Sequence, residues 1–230
     1  MVAKWPTGTF LARLPEAMPA ELVGLGTTFV APDGTRLIRQ GEAGSLVYLI
    51  LHGLVKITTQ AQNGERALLA IRVSGDIVGE MAILGSGRRT ADVTTCGPAS
   101  LCAIKGSAFV GYLQRHPHAA FALSGLLGDR LEWANQRRLE FAGYDAEVCL
   151  ARIILALAAA HGRAVLEGVD MGVRLTRAEL GSLVGAKEPT VQKALRSLSE
   201  RGLVLRGHRR VVIRDMPGLA KFADCVPENR

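Results

Sequence analysis

One stretch of the chain gathers groups that could hold an anion: Gly79-Glu80-Met81-Ala82-Ile83-Leu84-Gly85-Ser86-Gly87-Arg88-Arg89-Thr90-Ala91, entered from a strand-like run. Glycines let the main chain approach a bound group, free amides at a short helix start attract negative charge, and arginine adds charge-assisted hydrogen bonds. The combination reads as a phosphate cradle with an acid beside it. A carboxylate next to a phosphate repels it unless it accepts hydrogen bonds from sugar hydroxyls, so Glu80 suits a ribose. The plainer alternative is a glycine-rich sheet corner with a solvated Arg88-Arg89 pair, because short glycine patterns also arise by chance.

A second constellation runs from Leu175 to Val204. Thr176 and Glu179 have capping-box spacing, in which hydroxyl and carboxylate each satisfy an orphan amide, so a helix begins there. Gly185-Ala186-Lys187 breaks it after Val184, and Pro189 suits the first turn of the next helix. Two β-like runs follow, Leu203 to Arg206 and Arg210 to Ile213. Two short helices across a tight turn and then a basic hairpin make a winged helix-turn-helix, whose second helix enters the major groove of double-stranded DNA. Arg177, Thr190, Arg196, Arg206, His208, Arg209 and Arg210 are candidate phosphate contacts, setting affinity more than sequence preference. Lys187, Glu188, Gln192 and Lys193 lie at or just after the helix start. The plainer reading is a charged surface helix.

The elements that must position these groups change character along the chain. After a short helical lead (15 to 25), β-rich runs fall at 35–39, 46–52, 54–59, 66–73, 91–95 and 99–104, separated by glycine-containing turns, Asn63-Gly64 being the strongest hairpin signal. No helices separate them, so an antiparallel sandwich or roll is expected. Near residue 107 the period becomes about 3.6 residues: Ser107 to His116 reads as a short helix, and from Pro117 to Ala142 about 26 residues run without proline, roughly 39 Å of helix. Phe121, Leu123, Leu127, Leu131, Ala134 and Phe141 form a narrow apolar stripe on it, with Arg130, Arg137 and Arg138 interrupting. A long helix with such a stripe packs against another long helix, and the chain has no second one, so a parallel homodimer is expected. Gly143-Tyr144-Asp145 breaks the helix and offers an N-cap, and Ala146 to Ala160 is an apolar helix. The expected class is α+β: an N-terminal β-roll sensor (1–116), a central dimerisation helix and hinge (117–144), and a C-terminal winged helix-turn-helix (145–230).

Composition bounds the rest. The 230 residues are 48% hydrophobic and 21% charged, which fits a folded globular chain and excludes a disordered or low-complexity one. The longest uninterrupted apolar run, Ile153 to Ala160, is eight residues, against about 20 for a membrane span, so no membrane crossing is expected. The N-terminus shows no secretory pattern, and a cytoplasmic location follows. Net charge is +7; the first 145 residues contribute 14 − 12 = +2 and the last 85 contribute 14 − 9 = +5. The excess thus sits in the candidate DNA-binding half, as a polyanion partner would select. Four cysteines without a Cys-x-x-Cys pair argue against a disulfide scaffold or a zinc site. No Walker loop, nucleophile elbow, zinc-ligand helix or Rossmann fingerprint is present, so catalytic residues are not expected and the chain reads as no enzyme.

From about Leu22 to Asp215 the order of parts resembles the cyclic-AMP receptor protein and fumarate-nitrate regulator (Crp/Fnr) superfamily of bacterial transcription factors, on its cyclic-AMP-receptor-like branch. Its cassette has the form G-E-x-A-x-x-x-x-x-x-R-[ST]-A, which Gly79, Glu80, Ala82, Arg89, Thr90 and Ala91 fit without a gap. The resemblance implies that Glu80 binds a ribose 2′-hydroxyl, that Arg89 and Thr90 bind the cyclic phosphate, and that Gly79, Met81 and Ala82 line the pocket. It also implies cyclic AMP as effector, allosteric control of an operator, and RNA polymerase as a partner. The adenine-gripping pair on the long helix, Thr-Ser or Thr-Asn in the receptor proper, stands here as Ala134-Asn135. Alanine lacks the hydroxyl, which leaves cyclic GMP, another nucleotide, or a ligand-independent regulator with a vestigial pocket open. No cysteine precedes Cys96, so the iron-sulfur branch is not expected.

The helix-turn-helix also resembles the family's, with a departure where it matters. Glu188-Pro189-Thr190-Val191-Gln192-Lys193 replaces the receptor's Arg-Glu-Thr-Val-x-Arg. Glutamate favours cytosine amino groups, glutamine adenine and lysine guanine, so a different operator is expected. Among other residues, Cys96, Cys102 and Cys149 read as small hydrophobes, His116 and His118 as surface or capping groups, and Trp133 as dimer core or pocket wall.

Overall fold

A computed structural model of the chain describes residues 5–60, 64, 66–85 and 87–224; nothing is described of the Phe141 side chain. The chain divides into two compact units, Met1–Glu132 and Trp133–Arg230.

The first unit is built on two antiparallel four-stranded sheets. One has the order β1 (Thr27–Ala31), β8 (Ala99–Lys105), β3 (Leu46–His52) and β6 (Ile77–Val78); the other has β2 (Arg36–Ile38), β7 (Asp92–Thr95), β4 (Leu54–Gln60) and β5 (Arg66–Val73). Alternation sends Ile50, Val78 and Leu101 from the first sheet and Ile38, Val55 and Val93 from the second into one core between them, the arrangement of a β-roll. Asn63 lies outside the described residues, while β4 and β5 pair from Leu54↔Val73 to Gln60↔Arg66, with a register shift at Ile57/Thr58. The outer face of the first sheet buries Val47, Leu49, Cys102 and Ile104 beneath α1 (Met18–Gly24), α3 (Gly106–Arg115) and the start of α4 (Pro117–Gly143). The short α2 (Glu80–Leu84) follows β6.

The expected apolar stripe on α4 is divided by the structure. Leu123 and Leu126 are turned inward at 2% and 4% exposure, whereas Phe121 and Leu131 stand out at 77% and 63%. A narrow stripe read as one surface therefore serves two: Ala119, Leu123 and Leu126, four and three residues apart, form the core-facing side that the 3.6-residue period supplies.

The second unit contains the remainder of α4, α5 (Ala146–His161), α6 (Arg177–Val184), α7 (Glu188–Glu200), α8 (Met216–Phe222) and a sheet ordered β11 (Val204–Gly207), β12 (Arg210–Ile213), β10 (Gly168–Asp170), β9 (Arg163–Val165). Leu150, Ile154, Leu180, Val191, Leu198 and Val212 close its core. The capping box at Thr176 forms in both directions, Glu179 N to Thr176 Oγ1 at 3.1 Å and Thr176 N to Glu179 Oε2 at 2.7 Å. Asp145 sits at the N-cap of α5 in extended conformation without a side-chain hydrogen bond to the helix. The sequence reading lacked β1 and the β9–β10 hairpin.

Candidate nucleotide site and DNA-binding surface

The strand β6 delivers the chain to Gly79, whose φ of 86° belongs to the left-handed region where glycine is at ease. A Cβ there would stand 2.7 Å from Arg89 Nη1. Arg89 is 8% exposed; its Nη1 donates to the Gly79 carbonyl at 2.8 Å and its Nη2 to the Leu46 carbonyl at 2.6 Å. Gly44 faces its other side, where a Cβ would fall 2.6 Å from Nε. Burial, opposed by Tyr48 and Glu80, lowers the pKa of this guanidinium. The loop holding it is tied at both ends, Gly41 N to Arg89 O and Arg89 N to Glu42 O, each at 2.9 Å.

Glu80 opens α2 and is 3% exposed. Its Oε1 accepts from Arg130 Nη1 at 2.8 Å, and Arg130 Nη2 also donates to Asp76 Oδ1 at 3.2 Å and to the Ile77 carbonyl at 3.0 Å. Burial raises the Glu80 pKa, with Arg130 pulling it back. Arg72 lies within Coulombic reach of the same acids; burial, and after it the charge of Arg130, bring it down to about 10.

Of the sequence-expected ligand residues, Gly79, Glu80, Ala82 and Arg89 come together at this corner, Glu80, Ala82 and Arg89 being buried. Met81 and Thr90 are exposed, and Ser86 lies outside the described residues. Asn135 is exposed on the part of α4 that belongs to the second unit. Sequence reasoning missed Asp76, Arg72 and Arg130 as parts of the corner. Arg130 appeared there only as an interruption of a stripe, alongside Arg137 and Arg138, and nothing in the spacing set it apart from them.

In the second unit α7 buries Val191, Ala194, Leu195 and Leu198, which leaves Glu188, Thr190, Gln192, Lys193 and Arg196 exposed. Lys187 at its N-cap and Arg177 on α6 are exposed as well. Arg196 Nε donates to Glu200 Oε1 at 2.7 Å, one turn on. The β11–β12 hairpin turns through His208 and Arg209, with Arg209 at φ 53°, and exposes Arg206, His208 and Arg209. Between the hairpin and α7 lies a cleft of about 630 Å³ lined by Arg177, Glu188, Gln192, Arg206 and Arg209 among others. Asp170, 5% exposed, anchors the hairpin's second strand by accepting from Arg210 Nε at 2.6 Å. A basic ridge beside an exposed helix start is the footprint of a nucleic-acid interface.

Among the described residues no group of three potential metal ligands occurs, and no helix is long and apolar enough to cross a membrane. Cys96, Cys102 and Cys149 are free thiols, and His116 Nε2 lies 3.0 Å from Glu21.

Comparison with known proteins agrees with both halves. A family described as the cyclic nucleotide-binding domain matches residues 29–116, and one described as the Crp-like helix-turn-helix domain matches residues 150–222. The chain is 30% identical over 192 residues to the CRP-like cAMP-activated global transcriptional regulator of Mycobacterium tuberculosis, covering 84% of this chain and 86% of the relative. It is 28% identical to the cyclic AMP receptor protein of Thermus thermophilus over the same shares of the two chains. Among solved structures, the c-di-GMP responsive global regulator CLP of Xanthomonas campestris superposes with a TM-score of 0.77 at 21% identity, covering 88% of this chain and all of that one. These relatives are transcriptional regulators, not enzymes. With that identity maintained across most of both sequences and both halves matched in order, the chain belongs to the Crp/Fnr family of DNA-binding transcriptional regulators.

Proposed function

We propose that the protein is a homodimeric regulator whose β-roll binds a purine 3′,5′-cyclic nucleotide and thereby controls operator affinity. Cyclic AMP, the effector in the relatives' names, is the reference ligand. The observation that carries the reading is the pairing of a buried carboxylate, Glu80, with a buried guanidinium, Arg89, at one glycine-lined corner. Glu80 accepts from a ribose hydroxyl, while Arg89, which has N–H groups beyond the two used on carbonyls, faces the phosphate with the Thr90 amide or hydroxyl beside it. Gly79, Met81 and Ala82 border the ligand, and Asn135 contributes to the base.

A second copy's α4 would cover the exposed Phe121, Leu131 and Leu139, and the two recognition helices would then read two half-sites. We place the division at 1–116, 117–144 and 145–230, the middle segment transmitting occupancy to the DNA-binding domains by population shift. In this reading the protein acts in the cytoplasm with RNA polymerase as a partner, which its kinship with DNA-binding regulators supports. Arg177, Lys187, Thr190, Arg196, Arg206, His208 and Arg209 hold phosphates; Glu188, Gln192 and Lys193 face base edges.

One observation favours a ligand-independent regulator instead: Arg89 and Glu80 both have partners within the chain, the carbonyls of Gly79 and Leu46 and the guanidinium of Arg130. Calorimetric titration with cyclic AMP and cyclic GMP, beside Arg89→Ala, decides. Saturable binding lost in the variant, together with operator affinity that changes on saturation, supports nucleotide control. No binding by a folded protein that still holds DNA leaves the ligand-independent regulator.

A further inference from the structure

The corner around Glu80 carries more hydrogen-bond donors than acceptors. Arg130 Nε is buried with no acceptor. Arg72 makes no side-chain hydrogen bond among the described residues and is half-buried. Its direction is set by the sheet: it pairs with Val55, which is fully buried, and lies two residues beyond Ala70, 6% exposed, so all three side chains share the inward face of β4 and β5. Asp76 and Glu80 lie within Coulombic reach of it, while burial, and after it the charge of Arg130, bring its pKa down to about 10.

Three guanidiniums, Arg72, Arg89 and Arg130, thus meet two carboxylates, Asp76 and Glu80. One positive charge remains for the cyclic phosphate, and a donor fork remains for another acceptor on the ligand. The base edges of the two purines differ there. Guanine and hypoxanthine offer O6 and N7, two acceptors at the spacing of a guanidinium fork, whereas adenine offers N7 and an N6 amino donor that would face donors.

Given the cyclic-nucleotide cradle proposed above, on which this rests, we propose that Arg72 reads the base edge of the effector and makes the pocket prefer an acceptor-edged purine, as in cyclic GMP, over adenine. The test is calorimetric titration of the full-length protein with cyclic AMP, cyclic GMP and cyclic IMP, repeated on Arg72→Met and Arg72→Lys, with thermal melts of each. Cyclic IMP shares O6 and N7 with cyclic GMP but lacks the 2-amino group, so it isolates the edge in question. The wild type is expected to bind cyclic GMP and cyclic IMP about tenfold or more tightly than cyclic AMP, the discrimination of one bidentate pair. Arg72→Met is expected to weaken all three ligands and to remove that preference. Arg72→Lys, which retains the charge and so protects the fold, should lose most of the preference because it lacks the fork. Wild-type protein that binds cyclic AMP as tightly as cyclic GMP, or a preference unchanged in Arg72→Lys, overturns the role of Arg72 and leaves the cradle intact. Wild-type protein that binds none of the three defeats the cradle itself, and Arg72 with it.

Discussion

Arg130 and Glu80 are 50 residues apart in sequence and 2.8 Å apart in the fold, which joins the long helix to the carboxylate proposed for the ribose. The same guanidinium holds Asp76, so one side chain of α4 pairs with two acids whose side-chain exposures are 10% and 4%. Removing it leaves both without their principal cation, and an uncompensated buried charge costs about 3–5 kcal/mol. Arg130→Ala is therefore expected to lower the thermal midpoint of the first unit markedly. Removing one of the stranded acids with Asp76→Asn in the same chain should recover part of the loss; a midpoint equal to wild type in Arg130→Ala would show that water solvates the acids.

Glu80 should make nucleotide affinity depend on pH. Burial raises its pKa above the ordinary 4.5, against the pull of Arg130. The folded chain therefore holds this proton more tightly than the unfolded chain does. Its contribution to stability is fully present below 4.5 and is lost as pH rises through the higher folded value. The carboxylate, not the acid, makes the charge-assisted bond to a ribose hydroxyl, so affinity should rise with pH through that same value. In Glu80→Gln the dependence should flatten, and affinity at pH values above the Glu80 transition should fall about tenfold or more, as for loss of a hydrogen bond to a charged group. Titration calorimetry at a series of pH values checks this, and parallel curves for the two proteins would exclude Glu80 as the titrating group.

A second buried arginine works on the DNA-binding side. Arg137, 9% exposed, donates from Nε to the Leu183 carbonyl at 3.1 Å and from Nη2 to the Ser182 carbonyl at 2.9 Å, with its Cζ 4.5 Å from the centre of the Trp133 ring. These are carbonyls of the last turn of α6, which have no partner of their own within the helix. Arg137→Ala is expected to destabilise the second unit by about 1–3 kcal/mol, the cost of leaving buried acceptors unmet. Tryptophan fluorescence should report it, because Trp133 loses the cation over its face; a spectrum and midpoint both unchanged would show that the carbonyls are otherwise satisfied.

How far the sequence reaches depends on the distance over which a signal acts. The Thr176–Glu179 capping box spans three residues and was readable, as were β3 and β5, whose apolar runs coincide with their strands. Arg130 was read as a stripe interruption because its partners lie 50 and 54 residues away on another element. Leu123 was grouped with Phe121 because spacing alone does not say which side of α4 meets the core. The β9 and β10 strands, three residues each, are too short to show alternation, and the tip of their hairpin carries Leu166 fully exposed. Arg72 escaped notice for a related reason: a charged residue in a strand suggests a solvent face, and only its pairing with buried Val55 turns it inward.

The DNA-binding surface should separate affinity from sequence preference. Arg206 and Arg209 stand exposed on the hairpin, where they can reach the backbone of a duplex whose major groove receives α7. Substituting either by alanine should weaken binding to all sequences alike and reduce the slope of log affinity against log salt by about one, as expected for one lost phosphate contact. Gln192 is exposed early on α7, between the buried Val191 and Ala194 that fix the helix in place, and its amide can pair with adenine N6 and N7. Gln192→Ala should therefore leave the salt slope unchanged while relaxing preference at one base pair by about 1–3 kcal/mol. Selection from a randomised duplex pool with wild type and variant gives the readout. If the hairpin variants altered the selected sequence and Gln192→Ala altered only the salt slope, the roles assigned to the two elements would have to be exchanged.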